Sequence, residues 1–373
     1  MKKQMKSSEL DFTFLGSSPQ VFSAPDAVFV AQTSAQAWEM LGQVEHLLAD
    51  GFAIAGFLSY ELGYSCVNLP TPAHHPAREL PYLILGAFAP RQPGHIRNAT
   101  MSTSNLCISP LRSRTKPEQY AQAVQLIQKQ LTDGEVYQVN FSVPFDFDIQ
   151  GNPLPAFEIV AAQTQAPYAA SLRCENTVLL SWSPELFFQC KAERITTKPM
   201  KGTAPRDAEF SLASAKNQAE HIMIVDLLRN DLSRICDRVW VERLFEREKY
   251  PTFQTMTSTI CGERKPNLPF TEIIRAMFPC GSVTGAPKRA AMAEIAAREH
   301  FPRDAYCGSL GYLLPNGDGE WNVAIRTAQF NTARGVGRLD LGGGIVADSQ
   351  WADEWAELWL KGRFFRDHFG LGE

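Results

Sequence analysis

The feature that most restricts the fold is the irregular order of strand-like and helix-like segments along 373 residues, with no internal repeat. Apolar runs of strand length at 52–60 and 82–88 precede a helical pattern over 118–132, and further strand patterns follow at 177–188 and 321–330. A doubly wound parallel sheet would require a regular strand–helix–strand rhythm, which this order lacks. The pattern therefore predicts an α+β fold.

A polar and basic stretch over residues 90–115 separates two parts of different character. We predict an N-terminal lobe over 1–110, built from short strands and loops, and a larger domain over 111–370. The first ten residues are polar with no apolar run behind them, and no segment reaches the ~20 apolar residues that span a bilayer. We therefore expect a cytoplasmic protein without a membrane partner.

Charge and cysteine content argue against two further classes of protein. The formal net charge is −4 and the isoelectric point is near 6, whereas proteins that bind nucleic acid usually present a basic face. The eight cysteines are dispersed and form no C-x-x-C pair, so neither a zinc framework nor a dense disulfide scaffold is expected.

Lys201 and Glu220 lie in segments where an ionisable group has a chemical and a structural interpretation. Lys201 stands beside a glycine after a predicted strand. It would act as a nucleophile or base if its pKa is lowered, and the alternative is a solvated turn residue. Glu220 and Asp226 interrupt an apolar helical stretch, where a carboxylate must be paired, hydrogen-bonded or bound to a metal. Asp226 and Arg229 can instead satisfy one another.

Two glycine-rich stretches predict that backbone approaches a neighbour closely. Residues 280–289 fail the spacing of a phosphate-binding loop, because Pro287 precedes Lys288 and no Ser or Thr follows it. They form a turn into a helix, either as a plain helix entry or as an anion site made of free N–H groups. Residues 341–349 hold three consecutive glycines, which indicate a bulged strand or N–H groups presented to a ligand.

A pair of carboxylates near the C-terminus is the last candidate site. Glu354 and Glu357 lie three residues apart in a predicted helix and share one face, with Lys361 one turn beyond. Neighbouring carboxylates repel unless a cation or solvent relieves them, and ligands that are all oxygen favour Mg²⁺. A solvated surface helix is the alternative.

Together and in this order, these segments resemble the chorismate-utilising enzymes. The Lys-Gly-Thr and Tyr-Gln-Val-Asn sequences most resemble the branch containing component I of aminodeoxychorismate synthase. The resemblance extends over residues 110–366 and is carried by GEVYQVN (134–140), SPE (183–185), KGT (201–203), AEH (219–221), VDLLRND (225–231), GSVTGAPK (281–288), AIRT (324–327) and GGGIVADS (342–349).

The resemblance implies a fold like that of anthranilate synthase component I. Large antiparallel sheets would pack face to face with helices outside, and the active site would lie in a central cleft. Residues 111–370 would form the chorismate-binding catalytic domain, and the N-terminal lobe would be shorter than in many relatives.

The resemblance also implies roles for individual residues. Lys201 would be the nucleophile and Glu185 an acid or base, while Glu220, Glu354 and Glu357 would hold Mg²⁺. The residues implied to bind substrate are Arg326, Tyr312, Thr284, Gly285, Gly342, Gly343, Gly344 and Lys361.

The implied reaction is amination of chorismate at C4 with ammonia, which gives 4-amino-4-deoxychorismate, the precursor of 4-aminobenzoate and folate. No G-x-C-x-G motif of a glutamine amidotransferase is present, so ammonia would come from a separate glutamine amidotransferase subunit or from solution. Anthranilate synthase component I and isochorismate synthase are alternatives within the family. In another class, the chain would be a non-catalytic relative that binds a partner or senses a metabolite.

Overall fold

The structure is a computed structural model that describes residues 9–16, 18–75, 78–90, 106–206, 215–251 and 253–371. Its strands, in chain order, are β1 Leu10–Phe14, β2 Gln20–Ser23, β3 Ala27–Ala31, β4 Ala53–Leu58, β5 Leu83–Phe88, β6 Cys107–Ile108, β7 Arg112–Ser113, β8 Gln138–Gln150, β9 Tyr168–Cys174, β10 Thr177–Ser183, β11 Leu186–Lys191, β12 Arg194–Lys198, β13 Met200–Pro205, β14 Cys236–Lys249, β15 Phe253–Arg264, β16 Gly285–Ala286, β17 Ser309–Leu313, β18 Gly319–Asn322, β19 Thr327–Asn331 and β20 Val336–Ile345. Its helices are α1 Ser34–Leu41, α2 Val44–Ala49, α3 Leu62–Cys66, α4 Pro117–Thr132, α5 Leu154–Thr164, α6 Ala215–Ser233, α7 Phe270–Met277, α8 Lys288–Arg298, α9 Trp351–Lys361 and α10 Arg363–His368.

The strands form two large antiparallel sheets, which confirms the predicted α+β class. The first runs β16-β8-β20-β19-β10-β9-β1-β2, and the second runs β13-β15-β12-β11-β18-β17-β4-β5-β3. Strands from before residue 110 join both sheets: β1 pairs with β9 in the first, and β4 pairs with β17 in the second. The predicted boundary at residue 110 is therefore not a boundary between sheets.

Apolar side chains from both sheets share a core. In one cluster, Phe12 and Leu172 of the first sheet are grouped with Phe57 and Leu310 of the second, all fully or almost fully buried. Alternate residues of a strand face opposite sides of its sheet, so this set marks the faces that meet.

Helix α4 shows how the apolar spacing fixes an element. Tyr120, Val124 and Ile127 recur at helical intervals and are all buried, and the helix packs against α9 and β20. Pro117 at the first position sets the backbone angle with which the helix begins. Among the described residues, no helix combines the length and apolar character needed to cross a bilayer.

Three interruptions of regular strand structure lie close to ionisable residues. β10 ends at Ser183 and β11 begins at Leu186, which leaves Glu185 in the link between them. A register shift in the pairing of β13 with β15 falls immediately after Lys201. Arg326 precedes β19 and has a left-handed backbone with φ of 51°, which is rare for a residue with a side chain.

Candidate active site

A cavity of about 350 Å³ collects side chains from both sheets, from α6 and α9, and from the turn before α8. The predicted site residues that line it are Glu185, Lys201, Glu220, Arg326, Gly342, Gly344, Glu354, Glu357 and Lys361. These positions are far apart in sequence, so their meeting in one cavity is a property of the fold. The cavity lies in the size range of small-molecule binding sites.

Glu185 is a buried carboxyl in the cavity wall. Its side chain accepts a hydrogen bond from Ser282, with 2.5 Å between Oγ and Oε1, and its backbone N–H donates to the Ser183 hydroxyl. Burial raises the pKa of Glu185 to about 7, against the lowering effects of the Ser282 hydrogen bond and the Lys201 charge. A carboxyl with a pKa near neutrality can donate a proton under physiological conditions.

Lys201 extends from β13 towards the same cavity. Burial lowers the pKa of its amine, the negative charge of Glu220 opposes that shift, and the neighbouring ammonium of Lys361 adds to it. A lowered pKa increases the fraction of neutral amine, the form that acts as a nucleophile. An ideal Cβ on Gly344 would lie 3.4 Å from the Lys201 Nζ, so this glycine leaves room for the lysine.

Arg326 brings a positive charge to the cavity without an acidic partner in the described part of the chain. Its guanidinium lies 3.9 Å from the centre of the Phe253 ring. Burial lowers the pKa of Arg326 to about 10. A buried guanidinium that lacks an acidic partner is suited to a carboxylate ligand, which it can bind through two parallel hydrogen bonds.

Helix α9 presents two carboxylates and one ammonium to the cavity. Glu357 is ion-paired to Lys361 at 2.8 Å, and this ammonium lowers the pKa of Glu357. The Ser349 hydroxyl donates to Glu354 at 2.6 Å. Burial raises the pKa of Glu354, and the charges of Glu357 and Glu220 raise it further. Lys361 also donates to the carbonyl of Gly342 at 2.9 Å, which ties α9 to β20.

The carboxylate oxygens near α9 are the type of ligand atom that a hard divalent cation prefers. Within the described ranges, no three acidic, histidine or cysteine side chains form a metal-binding group. Glu220, Glu354 and Glu357 nevertheless line one cavity, and the like charges that raise the pKa of Glu354 would be relieved by a cation. Oxygen-only donors match Mg²⁺.

The glycine-rich stretches both lie against the cavity. β20 pairs with β8 so that Gly342, Gly343 and Gly344 oppose residues 140–142. An ideal Cβ on Gly343 would lie 3.3 Å from Glu354 and 3.4 Å from Lys361. The pairing with β8 has no register shift here, so the bulge that the sequence suggested is not found, and the stretch is a regular strand that approaches charged side chains closely.

Thr284 and Gly285 follow two residues of the cavity wall, Ser282 and Val283, but do not line the cavity themselves. The Thr284 hydroxyl donates to the carbonyl of Cys280 at 2.7 Å, and Gly285 pairs with β8. Gly285 has φ of 138°, and an ideal Cβ there would lie 2.1 Å from the carbonyl oxygen of Gln138, so only glycine fits. Helix α8 begins at Lys288.

Tyr312 corrects one residue assignment made from the sequence. Its ring packs against Phe14 and Phe22, with centroids 5.1 and 5.8 Å away, in the core cluster that also contains Phe12. Tyr312 does not line the cavity. Every residue of β17 is buried, so the sequence gives no alternation that would show which face Tyr312 joins. Tyr306 lines the cavity instead.

Several other cavity residues were not singled out from the sequence. Ser282 lies within the GSVTGAPK segment, so that motif contained the signal. Asn140 ends the GEVYQVN segment, whereas Asp340 precedes the three glycines and carries no distinguishing pattern. Gln138 is fully buried next to Gly344, and its amide makes no hydrogen bond with the described part of the chain.

For Asp226 of helix α6, the structural alternative drawn from the sequence is the one that the structure shows. Asp226 and Arg229 do pair with each other, at 2.8 Å on an exposed surface. Asp231 forms a buried ion pair with Lys288 at 2.6 Å, which joins α6 to the start of α8. Neither carboxylate reaches the cavity, so Glu220 is the acidic residue of this segment that does.

Comparison with known proteins relates this geometry to characterised families. The profile of a family described as chorismate binding enzyme matches residues 6–367. Aminodeoxychorismate synthase component 1 from Escherichia coli is 39% identical over 261 residues, which cover 67% of this chain and 57% of that protein. Anthranilate synthase component 1 from Saccharolobus solfataricus is 33% identical over 65% of this chain and 59% of its own length. The chain thus spans somewhat over half the length of these relatives.

Solved structures agree on the fold. Anthranilate synthase component I from Streptococcus pneumoniae superposes with a TM-score of 0.78 at 22% identity, over 95% of this chain and 91% of that one. The menaquinone-specific isochorismate synthase MenF from Escherichia coli gives a TM-score of 0.74 at 18% identity, over 99% and 91%. The expected likeness to anthranilate synthase component I is confirmed.

Proposed function

This chain belongs to the chorismate binding enzyme family, and we propose that it aminates chorismate at C4 to give 4-amino-4-deoxychorismate. The observation that carries the proposal is the placement of Lys201 in the same cavity as Glu185. The amine has a lowered pKa and the carboxyl has a raised one, both because of burial. Opposite shifts of this kind provide a nucleophile and an acid at one pH.

The chemistry follows from these two protonation states. The neutral amine of Lys201 attacks C2 of the ring, the ring double bond shifts, and the C4 hydroxyl leaves as water with the proton of Glu185. Ammonia then forms a bond to C4, the double bond shifts back, and the bond from C2 to the lysine nitrogen breaks. The lysine nitrogen keeps both of its hydrogens while it is bonded to C2, so it leaves as the neutral amine. The ammonium formed at C4 returns one proton to the Glu185 carboxylate, so the net change is chorismate plus ammonia to product plus water.

The carboxylates of chorismate have matching cations in the cavity. Arg326 lacks an acidic partner among the described residues and would bind one carboxylate through its two parallel N–H groups. Lys361 and the backbone of Gly342–344 would contact the second. This arrangement fixes the ring relative to Lys201, and such positioning lowers the barrier by avoiding an entropic cost during reaction.

Magnesium is part of the proposal, held by Glu220, Glu354 and Glu357. When bound, Mg²⁺ would supply positive charge that offsets a substrate carboxylate and orients it. The protein's own contribution is to gather three carboxylates whose mutual repulsion a cation relieves. Replacing Glu220 with alanine should weaken the dependence of turnover on magnesium, and an unchanged titration would contradict this role.

Ammonia is proposed to come from a separate glutamine amidotransferase subunit or from solution. The similarity to proteins named component 1 supports a second subunit. Ammonium salts should therefore support turnover by this chain alone, and a glutaminase partner should let glutamine replace them.

Product analysis tests the proposal directly. The chain is incubated with chorismate, Mg²⁺ and ammonium, with and without an added lyase that converts 4-amino-4-deoxychorismate to 4-aminobenzoate. Formation of 4-aminobenzoate only when the lyase is present is the expected result. Fluorescent anthranilate without a lyase, isochorismate without ammonia, or no product at all would each refute the assigned reaction.

Lys201→Ala tests the mechanism, with Lys198→Ala as a matched control. Lys198 lies at the end of β12 and is ion-paired to Glu248 away from the cavity lining. We expect Lys201→Ala to abolish amination at C4 and Lys198→Ala to retain it within a few-fold. Full activity in Lys201→Ala would remove the nucleophile from the scheme.

A further inference from the structure

The turn before α8 is a closely packed element whose role the sequence motif did not reveal. Gly281–Val283 form one turn of 3₁₀ helix, and the Thr284 hydroxyl closes the turn onto the carbonyl of Cys280. An ideal Cβ on Gly281 would lie 2.5 Å from the Leu227 side chain of α6, so the turn sits directly against that helix. The position of Ser282 is therefore fixed by its surroundings.

Ser282 connects this turn to the carboxyl of Glu185 in the link between β10 and β11. Both side chains are almost fully buried, and the hydroxyl donates to Oε1 at 2.5 Å across 97 positions of sequence. On its other side the same hydroxyl lies 3.2 Å from the Cys280 Sγ. A hydroxyl carries one hydrogen, so the hydrogen given to Glu185 leaves Cys280 as the donor in that second contact.

We propose that Ser282 is a positioning residue that holds one oxygen of Glu185, so that the other oxygen carries the transferable proton. The inference rests on the proposed role of Glu185 as an acid and adds the group that orients it. A carboxyl can rotate about its last bond, and without a fixed donor its two oxygens are interchangeable. In a neutral carboxyl the carbonyl oxygen is the better acceptor, so the hydrogen bond to Oε1 places the proton on Oε2.

The other groups around Glu185 do not replace this hydrogen bond. Lys201 acts on the carboxyl through its charge, and the backbone N–H of Met200 is a further donor. Burial raises the pKa of the Cys280 thiol to about 12, so this neighbour stays neutral in the working range. Burial also raises the pKa of the nearby Tyr168, which stays neutral as well. Among the described residues, Ser282 is therefore the side chain that donates a hydrogen bond to this carboxyl, beside the backbone of Met200.

Ser282→Ala tests the inference through the titration of Glu185. The hydrogen bond stabilises the ionised carboxylate, so its removal should raise the pKa of Glu185 further above about 7. Difference infrared spectroscopy follows the protonated carboxyl band, which is assigned by its loss in Glu185→Gln. The midpoint should move to higher pH by roughly one pH unit, as expected for loss of one hydrogen bond to a charged group.

Turnover gives a second readout of the same change. The protonated carboxyl is the active form, so activity falls as pH rises through the pKa of Glu185, and this alkaline limb should move upward with the infrared midpoint. Misorientation of the acid should also lower kcat by roughly 10- to 100-fold with a smaller effect on KM. Ser282→Thr retains a hydroxyl, and its midpoint should remain at the wild-type value.

Ser309→Ala is the matched control for losing a buried serine hydroxyl. Ser309 is fully buried and donates to the carbonyl of Asn322 at 2.6 Å, outside the cavity lining. It should lose stability without moving the Glu185 midpoint. An unmoved or lowered midpoint in Ser282→Ala overturns the inference, as does a threonine variant that shifts as far as the alanine variant.

The infrared titration requires no substrate, so it separates this inference from the proposed reaction. A moved midpoint in a protein that makes no 4-amino-4-deoxychorismate would support the hold of Ser282 on the Glu185 carboxyl and refute the reaction. A protein that makes this product while the midpoint of the Ser282→Ala variant stays in place would support the reaction and refute the role of Ser282.

Discussion

Replacing Arg326 with methionine should make the folded protein more stable while removing its affinity for an anionic ligand. The guanidinium lines the cavity, packs over Phe253 at 3.9 Å, and has no acidic partner in the chain as the structure describes it. Methionine has a similar length and can keep the contact with the ring. The variant therefore removes the charge with little loss of packing.

The magnitude follows from the pKa of the guanidinium. Burial lowers it to about 10, whereas an unfolded arginine titrates above 12, so the charged form is disfavoured in the folded state by roughly 3 kcal/mol. Because the folded pKa is the lower one, this cost is fully present below about pH 10 and disappears as pH rises beyond it. Stacking on Phe253 is lost in part and offsets about 1 kcal/mol. We therefore expect Arg326→Met to gain about 2 kcal/mol at pH 7.

Thermal unfolding with and without ligand provides the assay. The variant should melt at a higher temperature than wild type, and chorismate should raise the melting temperature of wild type only. Arg303→Met is the control, because Arg303 is also removed from water, more completely than Arg326, but is paired with Glu299 at 2.7 Å. Its loss leaves a buried carboxylate uncompensated and should destabilise the protein by about 3–5 kcal/mol. An Arg326→Met variant that is less stable than wild type would show that this guanidinium already has a partner.

Two further substitutions probe the cavity. Gly344→Ala places a methyl group 2.9 Å from Gln138 Nε2 and 3.4 Å from Lys201 Nζ. We expect kcat to fall by roughly 10-fold or more with little change in melting temperature, because the lysine is displaced. An unchanged kcat would mean that the reaction does not use Lys201 in the position seen here. Lys361→Met removes the ammonium that lies 2.8 Å from Glu357, so a divalent cation no longer competes with it for this carboxylate. Titration with Mn²⁺, followed by electron paramagnetic resonance, should show several-fold tighter binding. Weaker binding would contradict competition between the Lys361 ammonium and the metal ion.

The sequence predicted most element types because apolar periodicity is a direct record of burial. The helix over 118–132 and the strands at 52–60 and 82–88 occur with small boundary shifts, as α4, β4 and β5. The long hairpin of β14 and β15 was not predicted. Only the first residue of β14 is buried, and repeated register shifts against β15 break the period-two alternation that would identify it.

The wrong boundaries fall at the candidate site, and the reason is physical. Each of the apolar patterns over 177–188 and 321–330 predicted one strand, and the structure divides each in two. Glu185 lies at the first division and Arg326, with its left-handed backbone, at the second. An apolar pattern reports which side chains are buried and not where the backbone departs from a strand, so local reasoning fails where function imposes a different geometry.

Burial of the charged groups in the cavity costs free energy of folding, and binding of a ligand of opposite charge can offset that cost. Burial raises the pKa of Glu185 and Glu354 and lowers the pKa of Lys201 and Arg326, so in each case the charged form is the one disfavoured. Arg303, by contrast, is buried with its hydrogen bonds to Glu299 already made. The buried groups without such a partner interact most favourably with an ion of opposite charge, because they have already lost their hydration during folding. A dicarboxylate bound together with a divalent cation would satisfy both signs of charge at once, so each should raise the affinity of the other by the same factor.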